Sequence, residues 1–290
     1  MTDIPRYALV TGASSGIGYA TAVELAKRGF KVYAGARRVT KMEPLKEYGI
    51  VPIELDVGSL ESVIYARDLI SAETDGHLDV LFNNAGGPCF YPGIEVKEDV
   101  LLQVLNVNVA GVIRVTREFS PLVIKSQGCI AFTGSLSALM PMPFGSVYGA
   151  TKAAVHSYAS GLESELRPFN VKVLNVVTGG VTTEIFSNYQ TLASDSLYNV
   201  GETTRQFIKQ RKETTTGQST PAAEYAIRVV DQMLNRTRTW RIYEGHAAWL
   251  VRWATTLLPD WITRPIFERK FGFNLLADAI AARQSKLAVD

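Results

Sequence analysis

A chain of 290 residues, 47% of them hydrophobic, is long enough to bury one large core and needs no second domain. Its 30 Lys and Arg against 28 Asp and Glu leave a net charge of +2, with no basic run dense enough to make nucleic acid a partner. Cys89 and Cys129 fall in no zinc or redox spacing and the three histidines are scattered, so neither a disulfide framework nor a metal site is expected.

The opening MTDIPRY lacks the charged-then-apolar pattern of a signal peptide, and a cytoplasmic protein is expected. Tyr7 to Val10 is a short apolar run that reads as a strand. TGASSGIG, Thr11 to Gly18, leads from it into the helical pattern YATAVELAKRGF. Strand, glycine turn and helix in that order form the context of a dinucleotide site. Gly12 allows a tight turn, Gly16 lets the backbone approach a pyrophosphate, and Gly18 permits close packing of helix on strand. The helix N-terminus favours the anion. Ser14, Ser15 and Ile17, between those glycines, join them as candidate contacts.

The second strand, KVYAGA, ends in Ala36 followed by Arg37 and Arg38. An acidic residue there would suit the ribose of NAD. Two guanidiniums and no carboxylate suit a 2′-phosphate instead, so NADP(H) is the expected cofactor. The third strand, Val51 to Asp56, brings Asp56 and Val57 toward the adenine end. A helix is predicted from about Leu60 to Glu73, and DVLFNNAG, Asp79 to Gly86, reads as a fourth buried strand. Its Asn83 is expected to cap loose backbone groups, and Asn84, Ala85 and Gly86 to meet the cofactor. A long helical pattern, about Leu101 to Lys125, contains Asn106 and Asn108, which mark a bend or a relay in an otherwise apolar helix.

CIAFTGS is the fifth strand and delivers Ser135 at its carboxyl end, the side on which open α/β sheets bind ligands. The stretch from Gly128 to Thr151 carries no charge, but its glycines and prolines forbid a continuous membrane-spanning helix. Tyr148 and Lys152 lie four residues apart in a helix predicted from about Ser146 to Leu166, and so share one face. An ammonium beside a phenol is expected to lower the phenol's pKa and prepare it to protonate a developing alkoxide, with Ser135 as a second donor to the same oxygen. Val171 to Val177 is the sixth strand.

TGASSGIG, LDV, NNAG, NVAG, Ser135 and YGATK occur in an order and at distances that resemble the short-chain dehydrogenase/reductase family over about Tyr7 to Tyr243. The resemblance implies a single-domain Rossmann fold, α/β, with a doubly wound parallel sheet of seven strands. It implies that Tyr148 is the proton donor, that Lys152 lowers its pKa and binds the nicotinamide ribose, that Ser135 orients the carbonyl and that Asn108 holds a relay water. It leaves Asn106 structural. Gly179, Val181 and Thr183 of TGGVTT keep the family's contacts to the nicotinamide, while Thr178 stands where the family usually has proline. A homo-oligomer, dimer or tetramer, is expected.

Glu184 to Gly217 is polar and longer than an ordinary connection, and reads as a substrate lid or a surface loop. Helical periodicity resumes from Pro221 to Leu234, and TWRIY is an edge strand. Residues 244–290 form an extension with three of the four tryptophans, Trp249, Trp253 and Trp261, at helical spacing among Leu, Ile, Phe and basic residues. That segment suits a cover over the pocket, a dimer contact or peripheral contact with the endoplasmic reticulum or a lipid droplet through residues 244–273. The expected function is reduction of a ketone on a bulky lipophilic substrate. NADP-dependent alcohol oxidation and a cofactor-bound protein without catalysis are the rival readings.

Overall fold

The structure, a computed structural model, describes residues 5–183, 192–235, 237 and 239–287. Seven strands form one sheet: β1 (Arg6–Thr11), β2 (Phe30–Ala36), β3 (Val51–Glu54), β4 (Val80–Asn83), β5 (Cys129–Thr133), β6 (Lys172–Thr178) and β7 (Arg241–Glu244). Every pairing is parallel, and the strands lie in the order β3-β2-β1-β4-β5-β6-β7. The chain winds outward in opposite directions from β1 and from β4. The carboxyl ends of those two strands therefore part to leave a crevice, the binding position of doubly wound sheets.

Both faces of the sheet are buried, which is why its strands read as continuous rather than alternating apolar runs. On one face, α1 (Gly16–Lys27) and α7 (Ala222–Leu234) pack Ala22, Leu25, Val229 and Met233 against Ala8, Val10 and Val32. On the other, α2 (Leu60–Glu73), α4 (Val112–Ser126) and α5 (Ser146–Leu166) cover Leu9, Leu81 and Phe132 with Val63, Phe119 and Val155. Each of the Val, Leu, Phe and Met side chains among these contributes about 1.5–3 kcal/mol relative to exposure, far more than helix propensity does. Packing therefore decides the layers.

The long helix predicted around Asn106 and Asn108 is α3 (Glu98–Leu105), a π-helical segment over Asn106–Gly111, and α4. Both asparagines fall within the π segment, the local widening that recurs at functional sites. By length and composition the whole of Glu98–Ser126 could cross a membrane. Its Val115, Phe119 and Val123 are instead fully buried in the core beneath the sheet.

The polar stretch expected to be a lid or a loop contains a 15-residue helix, α6 (Glu202–Thr216); its residues 184–191 lie outside the described residues. In the extension follow α8 (Ala248–Leu257), α9 (Asp260–Lys270) and α10 (Phe273–Leu287). Phe207 of α6 packs edge-on against Phe144 and Phe273, ring centroids 4.8 and 5.9 Å away, so α6 is docked between the loop before α5 and the start of α10. A second cluster joins Val251, Phe267 and Phe271 to Leu136 and Val177. The extension is thereby packed over the carboxyl end of the sheet.

Candidate active site

A cavity of about 610 Å³ lies along the carboxyl ends of the strands, walled by the β1–α1 turn, the end of β2, the loops after β4 and β5, the turn after β6 and the inner faces of α8 and α9. All the sequence-predicted site residues line it except Gly18 and Asn108.

At one end the β1–α1 turn forms a cradle. Gly12 has φ +66°, and a Cβ there would lie 2.7 Å from Ala85 Cα, so only glycine fits. Gly18 faces that turn from within: a Cβ on it would meet the Gly12 carbonyl at 2.4 Å. That is the close packing of helix on strand expected of it, and Gly18 does not itself line the cavity. Ser15, the N-cap of α1, makes no side-chain capping bond, and no acidic residue occupies the helix's first turn. The cradle thus presents helix N–H groups to an anion. Ala36, Arg37, Arg38, Asp56 and Val57 extend the same wall, and Lys41, which no motif marked, adds a third cation. Asp56 Oδ1 accepts from the Gly58 N–H at 2.9 Å, which fixes the carboxylate at the cavity edge.

Asn84 lines the cavity, but its amide is engaged by protein. Nδ2 donates to the Thr11 and Gly12 carbonyls at 3.0 and 3.3 Å, and Oδ1 accepts from Thr133 Oγ1 at 3.1 Å. It ties the glycine turn to β4 and β5. Asn83 does not cap backbone as expected: it donates to Thr116 Oγ1 at 3.1 Å across the core. Asn106 is structural, as expected, and joins Gly58 O to the Arg114 guanidinium.

Asn108 lies on the π segment beside the loop after β4. It is fully buried, exchanges two 2.8 Å hydrogen bonds with the Gly87 peptide and donates to Thr151 Oγ1 at 3.1 Å. With those partners its side chain braces the loop after β4 against α5. The structure sets it behind the cavity wall.

Tyr148, Lys152 and His156 recur every four residues along α5, so one helix face carries all three toward the end of β5. Lys152 is buried and donates to the Thr133 carbonyl at 2.8 Å, with Nζ 5.8 Å from the centre of the Tyr148 ring. Desolvation lowers its pKa to about 8. The Tyr148 phenol is pushed up to about 12 by burial, and the hydrogen bond with Ser135 pulls the other way. The sequence expectation made Lys152 the group that lowers this phenol. In the structure burial outweighs the opposing hydrogen bond from Ser135, and the ammonium bonds the Thr133 carbonyl.

Two residues hold Ser135, and no motif announced either. His156 Nε2 accepts the Ser135 backbone N–H at 3.1 Å. Burial, with Arg241 and Lys152 nearby, lowers its pKa to about 4, so the ring is neutral and able to accept. Ser137 donates to Ser135 Oγ through its hydroxyl at 2.9 Å and its N–H at 3.2 Å. Having accepted twice, the Ser135 hydroxyl is left to donate its own proton toward Tyr148. The Ser spacing in SLS was the available signal for Ser137. For His156 it was the continuation of the Tyr148–Lys152 face by one turn.

After β6, Thr178 stands where proline was anticipated, and its hydroxyl bonds Tyr225 OH at 2.7 Å. The turn beyond is clasped by the extension: Gly180 N–H donates to His246 O at 3.0 Å, and His246 N–H returns to Gly180 O at 2.9 Å. A Cβ on Gly179 would come within 2.2 Å of His246 O. Glycine at 179 is therefore required by the extension that closes on it.

Residues 6–192 match the family model described as short chain dehydrogenase. The chain belongs to the short-chain dehydrogenase family. As a short-chain dehydrogenase it is an oxidoreductase of the CH–OH/C=O pair. Among similar proteins, an "NADPH-dependent 1-acyldihydroxyacetone phosphate reductase" of Saccharomyces cerevisiae is 38% identical over 96% of this chain and 95% of its own length. A "Short-chain dehydrogenase virD" of Hypocrea virens is 32% identical over 99% of each. A solved short-chain dehydrogenase from Streptomyces avermitilis superposes with a TM-score of 0.75 at 27% identity, over 86% of this chain and 91% of that one. The short-chain dehydrogenase fold accounts for the sheet order, and the length shared with the two sequence relatives includes most of the extension.

Proposed function

We propose that the protein reduces a ketone on a bulky lipophilic molecule at the expense of NADPH. One observation carries the reading: a single cavity joins a glycine cradle and the cluster Arg37, Arg38 and Lys41 at one end to Ser135, Tyr148 and Lys152 farther along. The cradle accepts a pyrophosphate, and the cations suit the extra phosphate that distinguishes NADPH from NADH. The yeast relative's NADPH dependence agrees with this assignment. When bound, the nicotinamide supplies hydride to the carbonyl carbon.

The chain's own residues do the rest. Tyr148, neutral because its pKa is high, gives its phenolic proton to the carbonyl oxygen, and a secondary alcohol results. Ser135 donates a hydrogen bond to the same oxygen, and the Lys152 ammonium supports the phenolate until it is reprotonated. The substrate end is walled by Phe90, Leu136, Met140, Met142, Val251 and Phe267, a surface that favours a lipophilic group such as the acyl chain named for the yeast relative. A homo-oligomer is the expected state, with exposed Leu102, Leu105 and Ile113 as an apolar contact on the helix above.

The test is NADPH consumption over acylated dihydroxyacetone phosphate, steroid ketones and aromatic polyketides. Turnover of a lipophilic ketone that Tyr148→Phe abolishes supports the reading. Tight NADPH binding with no turnover of any member would replace it with a binding role.

A further inference from the structure

The extension is apolar on two sides. Its inner residues Val251, Phe267 and Phe271 are buried and line the cavity. Its outer residues face solvent: Trp249, Leu250, Trp253 and Leu257 on α8, Leu258 at the bend, and Trp261 and Ile266 on α9. Trp249, Leu257 and Trp261 are 65%, 69% and 76% exposed. Among the described residues, 7 of the 18 exposed large hydrophobic side chains thus fall within these two short helices and the bend between them. Trp249, Trp253 and Leu257 follow one another at four-residue steps, and the two indoles meet edge-on at 6.1 Å. An apolar surface this concentrated marks an interaction site.

We propose that the outer face of α8 and α9 docks on the surface of an anionic phospholipid bilayer and carries the substrate end of the cavity against it. The charges select this occupant. Within residues 248–270, Arg252, Arg264, Arg269 and Lys270 stand against Asp260 and Glu268, an excess of cations that suits lipid phosphates better than the middle of a protein interface. Indole rings with Leu and basic neighbours are also the composition that settles at the headgroup boundary. Arg252 lies over both Tyr243 and Trp253, at 4.9 and 5.1 Å from the ring centres, and so keeps a guanidinium beside the apolar face. Lys270 is exposed on α9 and lines the cavity, so the docked helices and the substrate end of the cavity share this element.

Sedimentation of the full chain with vesicles tests the surface independently of turnover. The chain should sediment with phosphatidylcholine vesicles containing phosphatidylserine, and at least tenfold more weakly with phosphatidylcholine alone. Trp249→Glu with Trp261→Glu should weaken binding at least tenfold. Neither residue lines the cavity, so NADPH affinity should be unchanged and should report a folded variant. Failure of the unmodified chain to sediment overturns the proposal. If light scattering instead shows a dimer that the double variant splits, the face belongs to a second copy, and the membrane assignment is overturned too. Loss of ketone turnover with vesicle binding intact would count against the reductase reading alone.

Discussion

Between Tyr7 and Thr183 much of the site is main chain, whereas beyond Glu244 it is largely side chain. The cradle at Gly12, the loop at Ala85 and Gly86 and the turn at Gly179 act through backbone groups, and their shape tolerates few residues. Val251, Phe267 and Phe271 act through apolar surface, which many sequences could supply equally well. Under the proposed function the first region carries a chemistry common to many substrates, and the second is proposed to decide which substrate enters. Variants in the two should therefore fail in different ways.

The largest effect is expected where the regions meet. Tyr148→Phe keeps the ring and removes the proton, and should lower kcat by about 10²–10⁴-fold for every ketone, with NADPH affinity retained. Equal activity in the variant would break the assignment of roles. Arg37→Ala with Arg38→Ala removes two charged partners of a phosphate. It should weaken NADPH about 10- to 100-fold, measured by fluorescence titration, while NADH affinity stays constant.

The pH profile tests Lys152. Its pKa is lowered to about 8, so the ammonium is present below that pH and is lost as pH rises through it. Tyr148, raised to about 12, remains protonated throughout this interval. The kcat/KM for NADPH, which reports the free protein, should be flat to about pH 7 and fall with one ionisation near 8, approaching tenfold per unit above it. A fall only near 12 would assign the limb to the phenol. Ser137→Ala removes one neutral hydrogen bond to Ser135 Oγ and should lower kcat about three- to tenfold, with the KM for NADPH unmoved.

What the sequence disclosed follows the same division. The sheet, the helix Leu60–Glu73, the helix Ser146–Leu166 and most of the cavity wall were legible, because glycine turns and buried strands impose patterns on neighbouring residues. Asn84 and Asn108 were legible as positions but not as contacts. Their amides bond Gly12 and Gly87, groups distant in sequence that only the fold brings near. His156 and Ser137 were missed for the same reason, since their partner is set by the end of β5. The lid segment looked loop-like because α6 is polar on most faces, and its anchor is the single buried aromatic Phe207.

The smallest effect is the one most specific to the extension. Phe267 is buried on α9, lines the cavity and packs with Leu136, Val177 and Phe271. Phe267→Leu keeps an apolar side chain and leaves the cradle, Ser135, Tyr148 and Lys152 untouched, so neither NADPH affinity nor turnover of a small ketone should change. A long-chain ketone that lies along this wall loses part of its contact. A lost increment of apolar contact in a pocket of this kind is worth about 1–3 kcal/mol, and the conservative replacement should fall at the lower end. The expected result is a few-fold drop in kcat/KM confined to the long-chain member of the pair. An equal drop for both ketones would mean that α9 acts on the chemistry through the clasped turn at Gly179, and that the two regions are one.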